Sequence, residues 1–257
     1  MNPDWRNRYE VMVELAEQAG AHALGYFDQG IAVETKADLS PVTVADRQSE
    51  QLLRERLLRH FPKDGFLGEE FGEAPSTSGY RWIIDPIDGT RSFVRGIPLW
   101  GTLVALEHGG EMVAGVCRIP ALGMTYRALR GDGAYRDSRR LRVSDVGTLN
   151  KALLSYSSFG YFRAAGKEQA FLRMLEAAER SRGYSDFYGF VLLAQGSIDV
   201  MVEHGVHIWD IAPLQVIVEE AGGRFTDWGG GKDLYRPDTL ATNGRLHSAA
   251  LAMLNAD

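Results

Sequence analysis

The sequence holds a single cysteine, Cys117, so no disulfide can close within the chain. The thiol lies in an apolar run from Met112 to Ile119 and reads as a small core residue. No apolar stretch approaches the roughly 20 residues needed to cross a bilayer. The start, MNPDWRNRYE, is polar and charged, unlike a secretory leader, which makes a reducing cytoplasm the expected location and a membrane an unexpected partner. Runs of lysine and arginine are also missing. With a formal net charge of −6, this argues against a nucleic-acid binder. The acidic excess reads either as surface solubility or as carboxylates gathered around cations, and only spacing separates the two.

What is present is 257 residues, 45% of them hydrophobic, enough to bury a substantial core. Val11, Leu15, Ala19 and Ala23 recur at helical spacing and predict an amphipathic helix over about 5–27. The segment Thr35 to Pro41 has loop composition. A second helix is expected from Asp46 to His60, stopped by Pro62. Short strands follow at Phe66 to Gly68, Arg81 to Ile84, Leu99 to Glu107, Met112 to Ile119 and Met124 to Leu129. The Gly-rich turns between them suggest an antiparallel meander. Further on, helices are predicted at Lys167 to Arg180 and Phe187 to Gln195, a strand at Ile198 to Val202, and a helix from Asp210 to Ala221 ending at Gly222-Gly223. This gives a layered α+β and α/β fold in one domain over 1–257, with an α+β part over about 1–145 and an α/β part over about 146–257.

The segment Trp82-Ile83-Ile84-Asp85-Pro86-Ile87-Asp88-Gly89-Thr90 carries the strongest chemical signal. An apolar strand ends in two aspartates three residues apart, with a proline that fixes the turn and a glycine that permits tight geometry. Two carboxylates on one rigid turn suit hard, oxygen-seeking cations such as Mg²⁺, although D-x-x-D alone is common in solvated turns. Gly68-Glu69-Glu70 ends another apolar strand in carboxylates. Asp210, between Trp209 and the apolar run from Ile211, reads as a helix N-cap, as a cation ligand, or as both.

Taken together and in this order, Gly68-Glu69-Glu70, the segment from Trp82 to Thr90, Trp209-Asp210-Ile211-Ala212 and Gly222-Gly223 resemble the inositol monophosphatase family over essentially the whole chain. The resemblance implies an αβαβα sandwich and a Mg²⁺-dependent phosphomonoesterase with two or three ions, which Mn²⁺ can replace. Glu69, Asp85 and the Ile87 carbonyl would hold one metal, and Asp85, Asp88 and Asp210 a second. Glu69 and Thr90 would orient or deprotonate the attacking water, and Gly89 and Thr90 would offer backbone N–H groups to phosphate. Asp46, paired with Thr43, would bond water or Thr90. Lys36 would add positive charge, unless it is an ordinary solvated loop lysine. Phosphate monoesters hydrolyse so slowly without a catalyst that charge stabilisation must supply most of the acceleration. A phosphoenzyme is not expected, since no C-x₅-R motif surrounds Cys117 and D-x-D spacing is absent.

For the substrate, the stretch Thr90-Arg91-Ser92-Phe93 through Trp100-Gly101-Thr102 and the segment Ser185-Asp186-Phe187-Tyr188 resemble the histidinol-phosphate phosphatase branch. Arg91, Trp100 and Asp186 are therefore the discriminating positions. Asp186 would pair with the cationic leaving group of L-histidinol phosphate, or else cap the following helix. Glu203, seven residues before Asp210, stands where family members contact the substrate alcohol, and either branch could use it. His207-Ile208-Trp209-Asp210 is reminiscent of inositol-type enzymes, so an inositol-1-phosphate or broad sugar-phosphate phosphatase is the alternative. A catalytically silent regulatory protein on the same scaffold is a remote one. Ser155 to Ser158 are read as pocket lining or a strand end, and His204 and His207 as bystanders. The resemblance also implies a homodimer.

Overall fold

The computed structural model describes residues 2–36, 41–184 and 186–256. Helix α1 (Pro3–Leu24) starts at an Asn2 cap and leads to a two-stranded hairpin, β1 (Val33–Thr35) and β2 (Pro41–Thr43). Of the expected loop between Thr35 and Pro41, residues 37–40 lie outside the described residues. Next come α2 (Val44–His60), β3 (Gly65–Gly68), β4 (Gly72–Ala74), β5 (Tyr80–Asp88) and the short α3 (Thr90–Phe93). Strands β6 (Gly101–His108), β7 (Glu111–Ile119), β8 (Met124–Leu129), β9 (Gly133–Arg136) and β10 (Arg139–Arg140) follow. The remainder holds β11 (Leu153–Tyr156), α4 (Phe159–Ala164), α5 (Glu168–Ala177), β12 (Arg180–Arg182), α6 (Asp186–Ala194) and β13 (Val200–His204). It closes with α7 (Ile208–Glu220), β14 (Arg224–Thr226), β15 (Asp238–Thr242) and α8 (His247–Asn255).

An eight-stranded sheet runs in the order β10-β9-β8-β7-β6-β5-β3-β4, and a five-stranded sheet in the order β12-β11-β13-β15-β14. The expected antiparallel meander is present from β5 to β10, but β3 pairs parallel to β5, with Gly68 opposite Ile84. That exception brings the carboxyl ends of β3 and β5 to the same edge. A second difference lies in β5, which continues through the segment read as a turn. Its register against β6 slips between Asp85 and Asp88, so Asp88 still pairs with Gly101 across an irregularity.

Strand alternation sorts the layers. Trp82, Ile84, Val104 and Leu106 face α1 and α2, where they meet Met12, Leu15, Leu53 and Leu57. Ile83, Leu103 and Ala105 face the other way, onto Phe190, Val191, Leu214 and Ile217 of α6 and α7. The second sheet covers those helices with Met201 and Ala241. Its outer face carries Val200, Val202 and Leu240 against Phe162, Phe171, Ala250 and Leu254 of α4, α5 and α8. The architecture is α/β/α/β/α, and α7 is buried nearly all round because a sheet lies on either side of it.

Helix α7 approaches β7 so closely that a Cβ on Gly115 would stand 2.7 Å from Pro213 Cα. Gly115→Ala should therefore push the helix off the sheet and cost about 2–3 kcal/mol, read as a fall of roughly 5–10 °C in melting temperature. An unchanged melting point would show that this contact relaxes freely. His247, fully buried, bonds Thr226 Oγ1 at 2.9 Å and Thr242 Oγ1 at 3.2 Å. Burial, helped by the charge of Arg224, lowers its pKa from 6.5 to about 4, so the folded state holds it neutral while the unfolded chain takes up a proton. The stability advantage of wild type over His247→Gln should shrink by up to roughly 3 kcal/mol as pH falls from 6.5 to 4, measured as urea midpoints. A gap that stays constant with pH would refute this.

Candidate active site

The parallel pairing of β3 and β5 sets the geometry. Glu69 N donates to Ile84 O at 3.2 Å, which seats Glu69 beside Asp85 where the two strands end. Asp85 is buried and its Oδ1 accepts from Ile87 N at 2.9 Å, folding the carboxylate over the slipped register. Pro86 O accepts from Thr102 Oγ1 of β6 at 2.9 Å. Ile87 anchors the segment in an apolar cluster with Ala45, Phe93 and Trp100. Gly89 then turns with φ of +84°, and a Cβ there would lie 3.0 Å from Leu99 O, so both conformation and space favour glycine. Thr90 opens α3, and its Oγ1 donates to Ile87 O at 3.0 Å, with Asp46 Oδ1 behind it at 3.4 Å.

Asp46 is almost fully buried at the start of α2. Its Oδ2 accepts from Thr43 N at 2.7 Å and Thr43 Oγ1 at 2.6 Å in a capping box. Burial outweighs those bonds and pushes its pKa up to about 6. On the opposite wall, Asp210 is the third residue of α7 rather than its cap. The cap is His207, whose N donates to Asp210 Oδ2 at 2.8 Å. Asp88 Oδ2 accepts from Phe187 N at 2.9 Å, tying β5 to the first turn of α6. Lys36 is not a solvated lysine: its Nζ reaches Glu69 Oε1 at 2.7 Å and Glu70 Oε1 at 2.5 Å. Burial works against its charge, but bonds to the two glutamates overcome this and raise its pKa.

These groups line an open cleft of about 380 Å³ with Lys36, Pro41, Glu69, Asp85, Asp88 and Asp210 on its walls. Burial, then repulsion from Glu69, Asp88 and Asp210, raises Asp85 well above the usual carboxylate range. Burial, then Asp186 and Asp210, does the same to Asp88. Glu69 also rises, because burial exceeds the help from Lys36, and it lies within hydrogen-bonding reach of Asp85. Two carboxylates at that separation hold either a proton or a shared cation between them. Among the described residues no three His, Cys, Asp or Glu side chains are grouped to hold a metal ion as they stand. Lys36 and the backbone N–H groups of Ile87, Phe187 and His207 bond Glu69, Asp85, Asp88 and Asp210 respectively. The donor set, all carboxylate and carbonyl oxygen, fits a hard divalent cation such as Mg²⁺, whose charge would offset the repulsion.

Beyond Asp88 a small cavity of about 70 Å³ continues between α4, α6 and β13, lined by Tyr161, Asp186, Phe187 and Glu203 among others. Asp186 borders both spaces and takes φ of +54°, a conformation few non-glycine residues adopt. Its neighbour Ser185 lies outside the described residues. Glu203 is 3% exposed. One oxygen bonds Ser157 Oγ, while Oε2 has no hydrogen-bond partner among the described residues. Arg91 is exposed at the cleft mouth. Trp100 is not a site residue: it is fully buried, its ring 4.8 Å from Phe93 and 5.5 Å from Phe27. Ser155 serves the strand end, bonding Tyr184 O and N at 3.1 Å. His207 lies at the rim, stacked on Trp209 at 4.9 Å. Sequence reasoning missed Tyr161, which borders both spaces from a six-residue helix with no motif around it.

A sequence model described as the inositol monophosphatase family matches residues 4–256. A histidinol-phosphatase of Mycobacterium tuberculosis is 42% identical over 88% of this chain and 89% of its own length. A histidinol-phosphatase of Streptomyces coelicolor is 40% identical over 98% of each chain. An inositol-1-monophosphatase of Rhizobium meliloti is 37% identical over 93% of this chain and 92% of its own. Among solved structures, the extragenic suppressor protein SuhB of Bartonella henselae superposes with a TM-score of 0.89 at 31% identity, over 97% of this chain and 98% of that one. Enzymes of this family depend on metal ions, in keeping with the oxygen donors gathered at the ends of β3 and β5. The family match over residues 4–256 and relatives about 40% identical over most of both chains agree: the chain is a phosphatase of the inositol monophosphatase family.

Proposed function

We propose that this phosphatase hydrolyses L-histidinol phosphate to L-histidinol and phosphate. The observation that carries the reading is Asp186, which borders both the cleft of metal-site carboxylates and the cavity beyond it that holds Glu203. Asp186 and the Tyr161 ring on the rim offer a carboxylate and an aromatic face, which suit a cationic leaving group, while burial raises the pKa of Glu203 and favours its neutral form, which suits a hydrogen bond to the alcohol. Likeness to histidinol-phosphatases at about 40% identity supports the same choice. The likeness to an inositol-1-monophosphatase, and the His207 to Asp210 segment, favour inositol-1-phosphate or other sugar phosphates as a second reading.

Glu69, Asp85 and the Ile87 carbonyl would hold one Mg²⁺, and Asp85, Asp88 and Asp210 another; the same oxygen donors would suit a third ion or Mn²⁺. When bound, Mg²⁺ supplies positive charge at the phosphoryl oxygens and lowers the pKa of a water. The chain's own part is orientation and proton handling. Thr90 has one hydroxyl proton to give, to Ile87 O at 3.0 Å or to Asp46 Oδ1 at 3.4 Å, and in either case its lone pairs are left to accept from the attacking water. Glu69 takes the proton that this water loses. Gly89 and Thr90 start a helical turn, whose first N–H groups have no partner within it and serve the phosphate. Lys36 adds positive charge at the mouth, and Arg91 reaches toward the substrate from the rim. The phosphoryl group passes directly to water, and Cys117, buried in the core, takes no part.

We also read 1–257 as one domain, since α6 and α7 share a core with both sheets. The same reading takes the chain as a homodimer in the cytoplasm. Among the described residues no helix is long and apolar enough to cross a membrane.

Phosphate release with Mg²⁺ should show at least a tenfold kcat/KM preference for L-histidinol phosphate over inositol-1-phosphate, fructose-1,6-bisphosphate and 3′-phosphoadenosine 5′-phosphate. Preference for inositol-1-phosphate would leave the metal chemistry standing and overturn the substrate. Asp186→Asn should lower kcat/KM for L-histidinol phosphate about tenfold and spare an uncharged ester; equal losses on both would refute the pairing. Asp88→Asn should remove metal-dependent turnover by at least about 100-fold. Retained turnover would dismiss Asp88 as a ligand.

A further inference from the structure

Glu50 is a fully buried carboxylate for which the chemistry described so far has no use. It lies on α2, one helical turn beyond Asp46. Its Oε2 accepts from Glu70 N at 2.8 Å and its Oε1 from Phe71 N at 3.0 Å. Among the described residues no lysine, arginine or histidine pairs with it. A buried carboxylate with only neutral donors is costly to the fold, more so beside the negative charges of Glu69 and Glu70. The chain makes a further concession in the same place: a Cβ on Gly68 would fall inside the Glu50 carboxylate, so position 68 must stay glycine while Glu50 reaches the turn.

These concessions have one shared effect. Three successive N–H groups after β3 are all tied: Glu69 N to Ile84 O on the β5 side, and Glu70 N and Phe71 N to Glu50 on the α2 side. The turn that carries Glu69 is thereby held from both flanks. Lys36 then bonds the two side chains that leave it. We propose that Glu50 is a positioning residue for the metal site, fixing the 69–71 turn so that Glu69 meets Asp85 at the separation a shared divalent cation requires. The inference rests on the reading of Glu69, Asp85 and Asp88 as metal ligands. Glu50 itself touches neither metal nor substrate.

Two variants break the link from opposite ends. In Glu50→Gln the amide nitrogen faces a backbone N–H, which turns one acceptor bond into two opposed donors. In Gly68→Ala the methyl group drives an unaltered Glu50 off the turn. Mn²⁺ binding to the metal-stripped full-length chain, followed by titration calorimetry, should weaken about tenfold in each. In turnover assays the Mg²⁺ concentration for half-maximal rate should rise by a similar factor, while kcat at saturating Mg²⁺ stays within about twofold and KM for the phosphate ester is unchanged. Melting temperatures of the stripped proteins separate placement from general damage: a fall in melting temperature with Mn²⁺ affinity intact overturns the proposal, as does wild-type behaviour in both measurements. Should Glu50→Gln not be folded at 25 °C by circular dichroism, Glu50→Asp, which keeps the charge but shortens its reach, takes its place under the same criteria. Asp88→Asn is the control. If it too binds Mn²⁺ normally, the metal-site reading fails; if it loses binding while the Glu50 and Gly68 variants do not, only the role of Glu50 falls.

Discussion

The repulsion among Glu69, Asp85, Asp88 and Asp210 is the constraint around which this chain is arranged. Like charges at close quarters cost more as water is removed, and here they lie where β3 and β5 end beneath α7. No local sequence preference would hold them together. They stay because each is tied at its base: Glu69 by the β3–β5 ladder, Asp85 by its own slipped register, Asp88 by the first turn of α6, and Asp210 by the capping box of α7. Every one of those ties is made by a backbone N–H group. Such donors carry no formal charge, so they fix the carboxylates of Asp85, Asp88 and Asp210 without a counter-ion, while Glu69 alone of the four bonds a cation, Lys36.

The layers follow from the same need. Asp85 and Ile83 share one face of β5, so the strand must present its other face, Trp82 and Ile84, to α1 and α2. Helix α7 delivers Asp210 to the opposite wall only because it lies between two sheets and close against β7, where Gly115 permits the approach. A helix lying on an open surface would place its first turn less strictly. Burial of α7 on all sides thus converts packing density into the position of one carboxylate.

Much of this was legible in the sequence. Helical and strand periods located the elements, and the paired aspartates after an apolar strand marked the site, because both patterns are local. Where the reading departed from the structure, the deciding interaction lay far along the chain. Pro86 and two acids signalled a turn, but pairing of Asp88 with Gly101 keeps that segment in the sheet. Four residues of β3 gave no hint of parallel pairing. Asp210 resembled a cap because the residues Asp prefers at a helix start include both the cap and the third position, and only the hydrogen bond from His207 N separates them. Trp100 looked like a specificity residue from its neighbours in sequence, but its ring is used to wedge Ile87 and Phe93 in place. Glu50 went unremarked, since nothing nearby in sequence shows that Gly68 leaves room for it.

The two halves of the site carry different burdens. The residues assigned to metal and phosphate come chiefly from positions 69–90, on strands whose backbones are locked by ladder bonds. Those assigned to the leaving group, Tyr161, Asp186 and Glu203, come from a short helix, a strained helix start and the end of a strand. Charge stabilisation tolerates little displacement, whereas selection among alcohols needs only a change of side chain on a separate wall. A family built in this way can keep its chemistry while exchanging substrates. Glu203 shows how narrow that second surface is: its unpartnered oxygen is a cost carried by the free protein, which an alcohol whose hydroxyl reaches Oε2 removes by supplying the missing bond, whereas one whose donors cannot reach it leaves the penalty in place.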